Sequence, residues 1–322
     1  MLPILIMAYR RPIHFRKVIE SLMLQEHGDI YVYCDGYRIE HRNDALALRK
    51  EVQSYVKRGI IKGALFENSN FGTLYAFKRG LDWFFEMVDA GVILEDDLIL
   101  SPPLLKVVEE VFSFAQKSTN IEIICLRNTV PKKFLSEPTA TLRVSRFISS
   151  HGWITTRNRW RNFETHLDYK SSKDINKSIR SKIGIVPWLA LKQNLIKDER
   201  LQLISPQDAN WDIRWSYLHL LKDWHILNLN VNLIEYIGYG QESTHHLRSA
   251  NANIYNEIDT FNNLNLPNIL SIDSKADAFR LRFEMRHTFS RVIVRTIRNI
   301  LSAPPAHLYL KTFFLKTLRS KH

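Results

Sequence analysis

Short apolar runs alternate with longer amphipathic stretches over the first 130 residues. Residues 3–9, 29–34 (DIYVYC), 63–66 and 91–94 (GVIL) read as buried strands. Between them, residues 14–24 place Phe15, Val18, Ile19 and Leu22 at helical spacing. Residues 45–57 form a second amphipathic stretch, and 73–88 an aromatic-rich helix. Pro102 and Pro103 then open a helix that runs to about residue 116, as proline does in a first helical turn. Strands that alternate with helices predict an α/β fold, with a mostly parallel sheet flanked by helices. Ligands of such sheets bind beyond the carboxyl ends of the strands. Three polar clusters fall there: Arg10, Asp35, and the triplet Glu95-Asp96-Asp97.

Composition adds partners to this picture. The chain has 322 residues, 45% of them hydrophobic, enough for a large core with a smaller appendage. Its formal net charge is +12, which favours anionic partners such as nucleotide phosphates, nucleic acid or anionic lipid. Arginine and lysine crowd into residues 277–322, where only Asp277 and Glu284 oppose them. The two cysteines, Cys34 and Cys125, end apolar runs without metal-ligand spacing, as buried thiols of a reducing compartment do. No signal-peptide pattern opens the chain, and no apolar stretch approaches the roughly 20 residues of a membrane span. A cytoplasmic protein is expected.

Three consecutive carboxylates at the end of an apolar strand are costly unless a cation or hydrogen-bond donors compensate them. Oxygen ligands of this hardness suit Mg²⁺ or Mn²⁺ bridging a pyrophosphate. Asp35 can accept from the N3–H of uracil, or serve as an Asp-Gly turn residue. Arg10 suits a phosphate or a nucleoside, with Arg11 as its competitor.

Further along, Trp153, Trp160, Trp188, Trp211, Trp215 and Trp224 crowd one region. Aromatic rings stack on pyranose faces or fill a core, and the pattern leaves both open. His151-Gly152-Trp153 combines close backbone approach with a stacking face. In the segment from Pro206 to Asp212, one carboxylate can act as general base and another polar residue can cap the helix expected over 213–221. Asp212 is the better base, with Asp208 in reserve. Residues 238–246 end in paired histidines, and His245 is a further candidate metal ligand.

In this order, PILIMAYRRP, YVYCDG, VILEDDLILSP, SHGWITTRNRW and ANWDIRW resemble the GT-A (Rossmann-like) glycosyltransferases. The N-acetylglucosaminyltransferase I-like branch and its bacterial relatives are the nearest in pattern. The resemblance covers residues 1 to about 246 and implies an inverting enzyme that uses a divalent cation, usually Mn²⁺. It makes Asp97 the metal ligand and sets Glu95 and Asp96 on the ribose and donor sugar. It also implies that Asp35 reads uracil, Arg10 binds the nucleotide, Trp153 and Trp211 border the donor, and Asp212 deprotonates the acceptor hydroxyl. After Trp211-Asp212 the chain reads Ile-Arg-Trp, where the eukaryotic enzymes carry a second Asp and a Trp, so Asp208 stays in reserve. The expected donor is a UDP-sugar. The expected acceptor is a glycan or lipid-linked saccharide of bacterial surface polysaccharide synthesis.

This reading divides the chain into a catalytic domain over 1–250 and a basic helical C-terminal extension over 251–322. The catalytic domain splits into a nucleotide half over 1–130 and an acceptor half over 131–250. The extension interleaves apolar residues with arginines, a pattern suited to the inner face of an anionic membrane or to packing on the domain. Two other classes share some of these features. A nucleotidyltransferase also pairs an α/β sheet with an acidic metal site, but normally carries a glycine-rich loop after the first strand, and IMAYRRP has none. A nucleic-acid-binding protein fits the charge, yet no such module is present and the charge is confined largely to the tail.

Overall fold

Ten strands and nine helices are formed among the residues described by the computed structural model, which are 1–118, 120–165, 173–238, 257–261, 263–267, 270–284 and 294. The strands are β1 (Ile4–Ala8), β2 (Ile30–Cys34), β3 (Gly63–Phe66), β4 (Ala90–Glu95), β5 (Leu98–Leu100), β6 (Ile121–Cys125), β7 (Leu142–Ser145), β8 (Trp153–Thr156), β9 (His225–Leu229) and β10 (Ile234–Tyr236). The helices are α1 (Pro12–Met23), α2 (Arg42–Lys57), α3 (Gly72–Met87), α4 (Leu104–Ala115), the single turn α5 (Arg157–Trp160), α6 (Lys173–Ile183), α7 (Ile185–Ile204), α8 (Trp211–Lys222) and α9 (Ser274–Phe279).

The main sheet has the order β3-β2-β1-β4-β8-β6-β9-β7. Strands β3, β2, β1 and β4 are mutually parallel, and β6 is parallel to β9. Strand β8 is antiparallel to both β4 and β6, and β7 is antiparallel to β9. The sheet is thus mostly parallel and flanked by helices, as the strand–helix alternation predicts. The carboxyl ends of β1, β2 and β4 fall on one edge, and the site forms there. Immediately past that edge, β5 pairs with β10 in a separate two-stranded ribbon.

The period-two alternation of the strands decides which helix covers which face. Ile4 and Ile6 of β1 point into a cluster with Phe15, Val18 and Ile19 of α1, Leu48 and Val52 of α2, and α4. Leu5 and Met7 point the other way, towards Leu74, Phe77 and Phe84 of α3 and towards Trp153, Trp211 and Trp215. Both faces are covered, so β1 and β2 are buried along their whole length. Helices α6 and α7 close a smaller cluster on α8 through Ile179, Trp188, Leu195, Tyr217 and Leu220.

The tryptophan-rich region belongs to this core. Trp153 is 1% exposed and Trp215 fully buried, and Trp160 stacks on Phe163 at 4.5 Å. Burial of large aromatic area, rather than an open sugar platform, accounts for these rings.

Part of the stretch after residue 250 is described and lies on the main sheet. The described residues of 257–284 pack on the β7–β9 edge of the same sheet. Asp259 accepts from the Asn232 backbone N–H, and the Asn265 N–H donates to Thr141 Oγ1. Asp273 caps α9 through the Ala276 N–H and accepts from Ser136. Asp277 accepts from Ser145 Oγ, and Arg280 donates to the carbonyl of Ile148. These acids lie beyond the alternating strand–helix segment in sequence, and only the fold reveals that they staple a distal stretch to the sheet. The membrane-binding expectation for the basic tail concerns residues that lie largely outside those described, as does His245.

Candidate active site

The cleft at the carboxyl ends of β1, β2 and β4 has a volume of about 520 Å³. Its walls include Arg10 and Arg11 after β1, Asp35 after β2, the triplet after β4, and Asp208, Trp211 and Asp212 from the far side. Every polar cluster that the sequence places at a strand end therefore meets in one cavity. Trp153 does not: it lies inside β8, stacked on Trp211 at 5.2 Å, and makes no part of the wall. The structure places it in the core, away from the donor position expected from the sequence.

The triplet is the electrostatic centre. Asp96 and Asp97 are buried, and Glu95 is partly buried at the last position of β4. The Tyr9 N–H donates to Asp96 Oδ2 at 3.1 Å, tying the end of β1 to that of β4. Arg11 Nη1 lies 2.5 Å from Asp97 Oδ2 and 3.8 Å from Asp96 Oδ1. Asp97 Oδ1 is buried and has no hydrogen-bond partner among the described residues. Burial, then the charge of Asp97, pushes Asp96 up to about 7. Glu95 is raised by burial first, then by Asp97, Asp96 and Asp212. The charges of Arg11 and Arg10 pull Asp96 down, and those of Arg11 and His14 pull Asp97 down, yet burial outweighs them.

These residues fit a hard divalent cation. Asp97 offers a buried carboxylate oxygen with no donor, and its neighbours raise one another for want of positive charge. Among the described residues no three His, Cys, Asp or Glu side chains converge as a complete cage. A cation at Asp97 would therefore need further ligands, such as phosphate oxygens and water.

Asp35 is placed differently from its expected role. Its Oδ1 accepts from the N–H groups of Gly36 and Phe71, and its Oδ2 from the Gly72 N–H and Asn70 Nδ2. Those four donors use the acceptor capacity of a carboxylate, leaving no lone pair for a uracil N–H. Asp35 instead ties the 70–72 loop and the start of α3 to the end of β2. Burial pushes its carboxyl up to about 6, against the pull of the three backbone donors. Gly72 allows the same loop to approach its neighbours. It has φ +70°, and a Cβ there would stand 2.2 Å from the Gln207 backbone.

Asn70 is a residue that sequence reasoning missed. Its Nδ2 donates to two acceptors, Asp35 Oδ2 and the Gly36 carbonyl, which fixes the amide's orientation. The only sign in the chain is a polar loop after β3, a weak signal. Arg11 was visible merely as the neighbour of Arg10, and its pairing with Asp97, 86 residues away in the turn after β4, is tertiary.

On the far wall, Asn210 stands at the N-cap of α8 without a side-chain cap bond, and Asp212 lies in the first turn. Asp212 Oδ1 accepts from the Ile213 N–H at 2.8 Å, and burial raises its carboxyl. Asp208 lies on an exposed turn, held by Arg38 Nη2 at 2.7 Å and Ser205 Oγ at 2.7 Å. Behind this wall the buried pair Asp198–Arg214 fixes the segment, with Asp198 Oδ1 accepting from the Asn210 N–H. Trp211 is 3% exposed and stacks on Phe77 at 4.4 Å, so it presents an edge to the cleft and no open face to a sugar.

His151 lines the cleft edge-on to Tyr236, and Gly152 after it has φ +78°. The arrangement as a whole combines a cationic loop, an acidic centre and a buried carboxylate on the opposite wall. It can hold a diphosphate and take a proton beside it.

No known family's sequence profile matches the chain, and no curated protein matches it. Solved structures are similar to it at low identity. TarS of S. aureus is 14% identical, with a TM-score of 0.38 over 62% of this chain and 40% of TarS. The mannosyltransferase PcManGT of Pyrobaculum calidifontis, in complex with GDP-Man and Mn²⁺, is 12% identical, with a TM-score of 0.37 over 68% of this chain and 69% of the other. The CMP:2-keto-3-deoxy-manno-octonic acid synthetase complexed with CTP is 12% identical, with a TM-score of 0.32 over 51% and 77%. The chain thus spans two fifths of the length of TarS.

Proposed function

We propose that the chain is a glycosyltransferase that moves a sugar from a nucleotide-sugar, a UDP-sugar by preference, to a hydroxyl of a glycan or lipid-linked saccharide. One observation carries the reading: an undercompensated acidic centre at the strand ends, with an unpartnered Asp97 oxygen, faces Asp212 across one cleft. Arg10 and Arg11 supply the charge that a diphosphate needs on the same wall. Asp97 is the metal ligand, and Glu95 and Asp96 hold the donor's ribose and sugar. Asp35 acts as a positioning residue for the 70–72 loop.

The reaction is a displacement with inversion. Asp212 takes the proton of the acceptor hydroxyl as that oxygen bonds to the anomeric carbon. The bond from that carbon to the diphosphate oxygen breaks, and its electron pair leaves on the diphosphate beside Arg10 and Arg11. Burial raises Asp212, which suits a group that must hold a proton. A divalent cation bound at Asp97, Mn²⁺ or Mg²⁺, would neutralise charge on the departing diphosphate.

The setting that fits is bacterial surface polysaccharide synthesis, by a cytoplasmic enzyme that meets the inner face of the membrane through its basic tail. Among the described residues no helix is long and apolar enough to cross a membrane. A panel of nucleotide-sugars with Mn²⁺, read by thermal stabilisation and by release of nucleoside diphosphate, tests the proposal. At least one UDP-sugar is expected to stabilise the protein. If none binds, the donor assignment fails; pyrophosphate release from a nucleoside triphosphate and a sugar phosphate would mark a nucleotidyltransferase instead.

A further inference from the structure

The pairing of Arg11 with the acidic centre has a meaning beyond charge balance. Arg11 follows β1 directly and precedes Pro12, the first residue of α1. Its guanidinium is largely buried against Asp97 and Asp96, at 2.5 and 3.8 Å. Asp97 Oδ1, on the same carboxylate, has no donor among the described residues and is closed off from solvent. A cation approaching that oxygen meets the guanidinium's positive charge in a desolvated place, where like charges repel strongly. The carboxylates therefore cannot take up a second cation at full strength until Arg11 has another anion to face. A diphosphate is such an anion, and guanidinium is well suited to it.

We propose that Arg11 is an internal stand-in for the divalent cation. In the donor-free protein it occupies the Asp96–Asp97 carboxylates. It turns to the diphosphate when the donor arrives, so that metal and nucleotide bind as a coupled pair. This inference rests on the metal and donor reading above, and it adds that the coupling is built into the chain by one side chain. The benefit is chemical: the acidic centre stays partly compensated without a metal, and metal is drawn in when there is a phosphate for it to neutralise. Arg10 serves the nucleotide in both states in the proposal.

Calorimetric titration of Mn²⁺ into the full-length protein, with and without UDP, tests this on wild type and Arg11→Gln. Wild type is expected to bind Mn²⁺ weakly alone and much more tightly with UDP. Arg11→Gln is expected to bind Mn²⁺ alone about tenfold more tightly than wild type, and to gain correspondingly less from UDP. Equal or weaker Mn²⁺ binding by folded Arg11→Gln overturns the inference, even where UDP and Mn²⁺ bind together in wild type. Absence of Mn²⁺ binding to wild type with UDP present sinks the metal reading itself, and the stand-in with it. A second measurement needs no variant. The arginine side-chain resonances of wild type are followed by NMR on adding Mg²⁺ alone, then Mg²⁺ with UDP. The Arg11 signal should move markedly only with UDP; a signal unmoved by Mg²⁺ and UDP together overturns the proposal.

Discussion

Arg38 and Asp208 join across the mouth of the cleft, Nη2 to Oδ1 at 2.7 Å, linking the loop after β2 to the turn before α8. Both side chains are substantially exposed, so the pair contributes below about 1 kcal/mol. One oxygen of Asp208 faces Arg38 and the other Ser205, while the proposed base is Asp212. Asp208→Asn is expected to keep turnover within about threefold of wild type and to lower stability by less than about 1 kcal/mol in urea. A loss of a hundredfold or more would restore Asp208 as the base.

Asp35 predicts a stability effect rather than a change of base specificity. An asparagine there turns an NH₂ towards donors that now face a carboxylate oxygen, either the Gly36 and Phe71 N–H groups or those of Gly72 and Asn70. Asp35→Asn should cost about 2–4 kcal/mol, since buried donors lose their acceptor. Comparing UDP and GDP affinities of the variant checks the role. Both should fall together as the 70–72 loop loosens; a loss confined to UDP would return Asp35 to the uracil.

The fold was legible in the chain because the strands of the first half are short apolar runs, most of them buried, and its helices keep a 3.6-residue face. Even 63–66 is bounded identically by pattern and by structure. The site's membership was legible for a related reason, since strand ends converge in a parallel sheet. What stayed hidden is which carboxylate is spare. Asp35 and Asp97 look alike in sequence, yet loop amides saturate one while the other keeps an oxygen without a donor. Trp153 and Trp211 were ambiguous because an aromatic run reads alike in a core and in a sugar cleft. Only three-dimensional stacking on Phe77 decides for the core.

His219 predicts an acid-sensitive core. It is fully buried in α8, with Nδ1 at 2.9 Å from the Trp215 carbonyl, so the proton sits on Nδ1. Its Nε2 has no partner among the described residues. Protonation would bury an unpaired charge, and burial accordingly depresses the ring to about 4. The unfolded chain takes up the proton at its ordinary 6.5, so this contribution is present above that pH and is lost as pH falls through about 4. The full loss is on the order of 3 kcal/mol. The raised carboxylates of the cleft act in the opposite sense, so the measured quantity is the difference between wild type and His219→Leu. That difference should shrink between pH 6.5 and 4 in chemical unfolding; a constant gap would mean that His219 is not held neutral.

Asp212 predicts a separation of binding from chemistry. It lies in the first turn of α8, where the Asp198–Arg214 pair fixes the preceding backbone and the Ile213 N–H holds one oxygen. Asp212→Asn keeps the shape and can no longer accept a proton as a carboxylate does. The variant should fold with wild-type stability to within about 1 kcal/mol, because relieving a buried carboxylate offsets the altered hydrogen bonding. Its kcat should fall about 10²–10⁴-fold, the range for loss of a positioned general base. UDP-sugar affinity should stay within about threefold, because the proposed role of Asp212 is on the acceptor hydroxyl and on no part of the nucleotide. Single-turnover rates beside equilibrium donor binding decide the matter. Loss of donor affinity with an unchanged chemical step would place Asp212 in the donor site, next to the Glu95 carboxyl that its charge already raises.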